Sequence, residues 1–253
     1  MSTNENKDKK AEVTALQAIS AEDRKDWISL AFVQAGICVC VPAFLLGALL
    51  AEAMPIWPAI ISGSLGYLIV VVGMVATGMI GCDLGLASCT CCQAGFGKSG
   101  ARFIVSTIFA VNMIGWFGIQ NGVCGEAFSN AMLAMTGWDI PVVVSNTIWG
   151  IIMLLTAVYG VHALEKLDKI SIPLLMIIMC YGTFLAFKVY GTGNLNDEGT
   201  VQSMSFMSGV ALSFNFTAVG TITGPDYTRF QKSRKDTVKS VFYGVFPMGV
   251  ITL

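Results

Sequence analysis

AGICVCVPAFLLG, Ala35 to Gly47, sits inside a hydrophobic stretch long enough to cross a bilayer, yet it carries Gly and Pro where a plain membrane helix would carry Leu. ALSFNFTAVGTITGPDYTRF, Ala211 to Phe230, has the same character. A broken backbone survives in lipid only where protein or a water-filled cavity satisfies the freed N–H and C=O groups. A pair of interrupted spans is the pattern of a secondary transporter, whose site is built where the two breaks meet. Both stretches are therefore expected to be broken helices.

The rest of the chain agrees with a membrane setting. Its 253 residues are 55% hydrophobic and 12% charged, with a mean hydropathy of +0.70. A soluble domain carries about 25% charged residues. A net charge of −1 leaves no basic domain for nucleic acid. A membrane helix needs roughly 20 mostly apolar residues. Six such stretches cover residues 28–51, 55–81, 103–135, 140–160, 172–190 and 204–223, and a seventh starts near Val238. The third is longer than one span requires, so it tilts, bends or continues outside the bilayer.

Between these spans the basic residues fall on one side. Lys7, Lys9, Lys10, Arg24 and Lys25 precede the first, and Lys98 and Arg102 lie between the second and third. Lys166 and Lys169 follow the fourth, and Arg229, Lys232, Arg234, Lys235 and Lys239 follow the sixth. Only Lys188 falls on the other side. The positive-inside rule puts the N-terminus in the cytoplasm of a multi-pass protein of the cell membrane.

Within the third span, Trp116 and Gln120 are one helical turn apart and share a face. An aromatic face and a side-chain amide are what a planar heterocycle needs for stacking and for reading its donors and acceptors. The same spacing also suits plain helix packing, and spacing alone favours that reading. Glu126, about 15 Å further along the helix, is expected to be solvated or structurally hydrogen-bonded. Asp226 and Arg229 have the spacing of a structural pair.

Other motifs are read and set aside. Gly95 to Gly100 matches G-x-G-x-x-G, but a transmembrane span precedes it where a dinucleotide fold needs a strand. A short amphipathic helix or flexible link fits better. Cys82, Cys89, Cys91 and Cys92 cluster in the same link without a nearby His, a poor match to metal spacing. With His162 the single histidine, no catalytic triad can be assembled. Neither a catalytic residue, a metal site nor a cofactor is expected.

GWFGIQ (Gly115 to Gln120) and GPDYTRF (Gly224 to Phe230), supported by GCDLGL (Gly81 to Leu86) and GFGKSG (Gly95 to Gly100), carry a resemblance. The chain resembles the nucleobase–cation symporter family of cytosine/purine permease type. The resemblance implies an all-α, LeuT-like membrane fold of two inverted five-helix repeats. By that template residues 1–27 are a cytoplasmic tail, 28–190 the first repeat and 191–253 the start of the second. The chain then stops after about six and a half helices, as the N-terminal part of a longer transporter that does not transport without its remainder.

The resemblance also implies cation symport, by Na⁺ or H⁺, of a nucleobase such as cytosine or a purine; a monomeric carrier is the working expectation, which the sequence alone does not fix. The resemblance places substrate contacts at Trp116 and Gln120, at Cys40 and Val41, and at Asn215, Phe216 and Thr217, with Phe216 stacking opposite Trp116. The backbone carbonyls of Gly36 and Val39 match the family's cation positions. Some cytosine permeases carry Gln where this chain has Met113, which bears against cytosine itself. Hydroxymethylpyrimidine, hydantoin and allantoin are alternative cargoes. A membrane sensor built on the cysteine cluster is the alternative of a different class. An amino-acid carrier would favour a glycine-rich first break, whereas this one is Cys/Val/Pro.

Overall fold

The computed structural model describes residues 16–158, 160–191 and 204–253, all of whose regular elements are helical. A 3₁₀ turn, Ala21–Asp23, leads into α1 (Trp27–Cys38) and α2 (Val41–Ala53), which are bent 53° at their junction. Next come α3 (Ile56–Leu84), the short α4 (Ser88–Cys91) and α5 (Gln93–Gly100). A π-helical turn, Ala101–Val105, joins α5 to α6 (Ser106–Thr136). The remaining helices are α7 (Val142–Val158), α8 (Gly160–Tyr190), α9 (Phe206–Thr228) and α10 (Arg234–Thr252).

Among the described residues four helices, and the bent α1–α2 pair counted as a fifth, are long and apolar enough to cross a membrane. The long third stretch continues backwards through the π turn into α5. The link expected between the fourth and fifth spans is helical, because α8 runs through it and through Pro173.

α3 and α9 make the most extensive contact of the molecule. Their seam is lined by small residues. A Cβ on Gly66 would stand 2.6 Å from Ser213 Cβ, and one on Gly81 would stand 2.5 Å from Pro225 Cα. One on Gly209 would meet Ser62 Oγ at 2.7 Å. Close approach of backbones through small residues is how helices associate where lipid removes the hydrophobic drive. Hydroxyls then reach across to the facing backbone. Ser213 Oγ donates to Gly63 O at 2.7 Å, and Thr228 Oγ1 donates to Gly78 O at 2.7 Å. Interhelical bonds of this kind contribute about 0.6 kcal/mol each.

The second expected interruption is not present: α9 is continuous from Phe206 to Thr228. Pro225 has no N–H to give the carbonyl of Thr221, four residues earlier. Thr77 Oγ1 of α3 donates to that carbonyl at 2.6 Å. The freed acceptor is thus satisfied by the neighbouring helix, and the backbone has no reason to unwind.

α10 packs on α1 and α3, completing a body made of α1, α2, α3, α9 and α10. Its core includes Leu46, Leu50, Tyr67, Met74 and Val241. One end is strapped by the segment before α1. Ile19 N–H donates to Gly85 O, Lys25 N–H to Phe230 O and Arg24 Nη1 to Gln231 O. α6 pairs with α7 as a second unit, with Phe128 edge-on to Trp149 at 5.5 Å. α8 touches both α1 and α7. Along α6, α7 and α8 apolar side chains such as Ile114, Leu154 and Phe184 are exposed, a surface that calls for hydrocarbon or protein around it.

The seam is expected to tolerate no added volume. Gly81→Ala should destabilise the protein by about 1–3 kcal/mol, the usual penalty of overpacking. Gly220→Ala, whose Cβ would meet Val70 at an ordinary 3.6 Å, should be near neutral. Thermal unfolding in detergent reads the difference, and equal melting points would disprove the close-packed seam.

Candidate functional site

The break between α1 and α2 is the local origin of the site. Val39 leaves the helical region, with φ −86° and ψ 74°, and Cys40 is extended. The N–H of Cys40, which would bond Gly36 O in a continuous helix, turns to Cys38 O at 3.0 Å. The N–H of Ala43, which would bond Val39 O, turns to Cys40 O at 3.0 Å. Neither the Gly36 nor the Val39 carbonyl accepts its helical hydrogen bond. Pro42 in the first turn of α2 lacks an N–H where a helix start has no use for one. The sequence therefore stops one helix and starts the next across two residues.

Beside this break lies a cavity of about 300 Å³ between α1, α6 and α9. α1 contributes Gly36, Ile37 and Cys40. α6 contributes Met113, Trp116, Phe117 and Gln120. These four fall at helical spacings of three, one and three, so they form one stripe. α9 contributes Phe216, Gly220, Thr223 and Tyr227, again one stripe, with Thr217 and Val219 at its edge. The walls are mainly apolar, with polar groups from Gln120, Cys40, Thr223 and Tyr227. Gln120 lies against the Cys40 thiol, linking α6 to the break. No charged side chain lines the cavity.

Of the residues singled out by sequence, Trp116, Gln120, Cys40, Gly36, Phe216 and Thr217 are brought together here. Trp116 and Phe216 touch edge to face, with centroids 5.3 Å apart and planes 81° apart. A ring held between two stacked aromatics needs them about 7 Å apart, twice a carbon–carbon contact. In this arrangement the cavity lies beside the pair, and Phe216 does not stand opposite Trp116 as expected. Thr217 Oγ1 donates to Ser213 O at 3.2 Å, so its hydroxyl serves its own helix.

Asn215 and Val41 are exposed and lie outside the cavity lining. The reason for Asn215 is the continuity of α9: on an unbroken helix it points about 100° away from Phe216. Val39 is buried on another side of α1, packed with Ile172 and Met176 of α8. Thr223 and Tyr227 are lining residues that the sequence reading missed. Their spacing from Phe216 marks them once α9 is read as unbroken. Glu126 is exposed and away from the cavity.

The cysteine cluster is divided. Cys82 is buried, its thiol 3.8 Å from Gln231 O, whereas Cys89, Cys91 and Cys92 are half-buried around α4. Among the described residues no three His, Cys, Asp or Glu side chains are placed to hold a metal ion. Asp226 Oδ1 accepts the Ser88 N–H at 3.0 Å and so caps α4, while the Arg229 guanidinium lies 4.8 Å over the Phe230 ring.

Comparison with known proteins adds an independent line. Residues 19–253 match the family described as permease for cytosine/purines, uracil, thiamine, allantoin. The cytosine permease of Escherichia coli (strain K12) is 27% identical over 216 residues, which are 84% of this chain and 49% of that protein. The purine-uracil permease NCS1 of Arabidopsis thaliana is 25% identical over 247 residues, 87% of this chain and 41% of that protein. The chain thus spans about half the length of the curated relatives it matches. Among solved structures, Mhp1, a nucleobase-cation-symport-1 family transporter in a closed conformation with bromovinylhydantoin bound, superposes with a TM-score of 0.84. It is 18% identical, and the match covers 95% of this chain and 56% of that one. The fold is therefore the LeuT-like one, present here in part.

Burial raises the thiol pKa of both Cys89 and Cys91 above the ordinary cysteine value. A raised pKa means less thiolate at neutral pH, and the thiolate is the reactive form. Single-cysteine variants retaining either residue should react with N-ethylmaleimide more slowly than glutathione at pH 7. Their rates should climb at a higher pH than the glutathione rate does. Faster reaction than glutathione at pH 7 would contradict the burial and revive a redox-sensing role.

Proposed function

The chain belongs to the family of permeases for cytosine/purines, uracil, thiamine and allantoin, and we propose that the transporter it belongs to carries a nucleobase, cytosine or a purine, across the cell membrane by cation symport. The relatives are permeases rather than enzymes, and the chain is a multi-pass membrane protein. In this reading α1–α8 form the first inverted repeat and α9–α10 begin the second. The N-terminus lies in the cytoplasm.

One observation carries the reading: Trp116 and Gln120 share the wall of a cavity that opens on the broken helix. The ring lies on the Trp116 face, and the Gln120 amide pairs with its edge donors and acceptors. A neutral, apolar cavity with one amide suits an uncharged heterocycle and offers nothing to a carboxylate or phosphate. To hold the ring on both faces, Phe216 moves off its edge contact with Trp116.

The carbonyls of Gly36 and Val39, relieved of their helical partners, are hard oxygen donors of the kind a Na⁺ ion takes. Two carbonyls would leave the rest of the ion's shell to be supplied from elsewhere. A bound cation would neutralise their dipoles and fix the α1–α2 angle. Proton coupling would call for an acid or a histidine, and no Asp, Glu or His is part of the cavity lining.

The experiment is uptake of radiolabelled cytosine, adenine, hypoxanthine, allantoin and a hydantoin by cells expressing the full-length transporter. Trp116→Ala should abolish saturable uptake of the preferred ring without reducing the amount inserted in the membrane. Gln120→Leu should weaken uptake by about 10- to 100-fold, the scale of a lost hydrogen bond in a desolvated site. Uptake should fall when choline replaces Na⁺ and persist when a protonophore collapses the proton gradient. Unchanged uptake by Trp116→Ala would refute the stacking role, and the opposite ion dependence would transfer the coupling to H⁺.

A further inference from the structure

The turn between α5 and α6 holds a second cavity that the transport reading does not use. Its volume is about 610 Å³, and it is lined by Lys98, Arg102, Gln93, Thr90, Ser106 and Cys89, with Leu16 at its edge. Two rare backbone features shape it. Gly97 has φ 69° and ψ 171°, a conformation open almost only to glycine. Directly after it the chain makes the π-helical turn Ala101–Val105, and such turns concentrate at functional sites. Between them they set Lys98 and Arg102, four residues apart, on the same cavity.

The chemistry of the lining is that of an anion receptor. It presents one ammonium, one guanidinium and the Gln93 amide, while the Ser106 hydroxyl at its edge donates to Ala101 O, and no carboxylate is part of it. Neither cation forms an ion pair with a described residue. The nearby carboxylate of Asp226, which acts on Cys89, is engaged with the Ser88 N–H.

Position identifies which anion. By sequence the apolar stretch of the second span ends near Gly81 and that of the third begins at Phe103, which puts the cavity between them at the expected level of the lipid headgroups. Phe96, Phe103 and Ile104, on the same turn, are 63%, 67% and 58% exposed. The Arg102 guanidinium is 5.6 Å from the Phe103 ring centroid. A cationic cavity that adjoins an exposed apolar patch suits an amphiphile with a phosphate head and acyl chains. Basic pockets at this depth are a known means of holding anionic lipid.

We propose that this cavity binds the phosphate of an anionic phospholipid from the leaflet on the N-terminal side, with Lys98 and Arg102 as its two charge partners. The GFGKSG segment is then a phosphate-binding turn after all, but for a lipid headgroup and by side-chain cations. Occupancy would pin the α5–α6 turn, from which the stripe bearing Trp116 and Gln120 extends.

The test uses the full-length transporter in nanodiscs of phosphatidylcholine containing a minor fraction of phosphatidylglycerol, followed by native mass spectrometry of retained lipid. The wild type should retain phosphatidylglycerol over phosphatidylcholine. Lys98→Gln with Arg102→Gln should lower that retention by about tenfold or more, since each basic residue near the surface contributes roughly a factor of five. Lys98→Arg with Arg102→Lys should retain it, which guards against simple misfolding. Lys232→Gln with Lys239→Gln should leave it unchanged. Equal retention by the Lys98/Arg102 double variant, or equal loss in the Lys232/Lys239 variant, would overturn the site. Displacement of the lipid by millimolar glycerol phosphate would reassign the cavity to a soluble phosphate.

Discussion

The distance between the backbones of α3 and α9 governs the rest of the fold. Four glycines of α3 that face α9, Gly66, Gly73, Gly78 and Gly81, let it come close enough for hydroxyls to reach main-chain carbonyls. In hydrocarbon that contact does the work that burial of apolar surface does in water. Once α9 is held there, the face adjoining the seam carries Phe216, Gly220, Thr223 and Tyr227 towards α6. The cavity is thus placed by a seam on the neighbouring side of the helix that lines it, with Gly220 shared between the two.

The molecule divides into a tightly packed body and a looser pair, and the cavity lies where they meet. The body owes its order to short-range contacts, with Tyr67 against Gly249 and Leu50 against Gly63. α6 meets it chiefly through side chains: Trp116 on Phe216 and Gln120 on Cys40. Such contacts can be remade without repacking a core. Under the proposed transport function, α6 is the element able to shift at least cost, while the broken helix belongs to the tightly packed body.

Much of this was legible in the sequence, and the exceptions have physical causes. The first break announced itself because Val39 to Pro42 combine a Pro with residues that pack poorly in a straight helix, and the structure breaks there. Trp116 and Gln120 do share one wall of the cavity, but their one-turn spacing alone favoured plain helix packing, and it was the resemblance that singled them out. The second break was misread because Pro225 looks the same whether or not a neighbour supplies the missing donor. Thr77 supplies it from 144 residues away, which no local pattern reveals. Asn215 failed with it, since its place at the site depended on the helix being unwound. Thr223 and Tyr227 were hidden by the same assumption. The glycine face of α3 was visible as a spacing, but its partner on α9 is a tertiary fact.

Thr77 also bears on the energetics of rearrangement. Its hydroxyl has acceptors besides Thr221: Gly73 O at 3.1 Å and Met74 O at 3.3 Å, both on its own helix. If the hydroxyl turned back to those, it would stay satisfied, and only the Thr221 carbonyl would be released. An unsatisfied buried carbonyl costs about 1–3 kcal/mol, and more where hydrocarbon surrounds it. A helix kept continuous by a side chain from its neighbour is fastened from outside: any opening of α9 at this point must first bring the Thr221 carbonyl another donor, from water or from a facing helix.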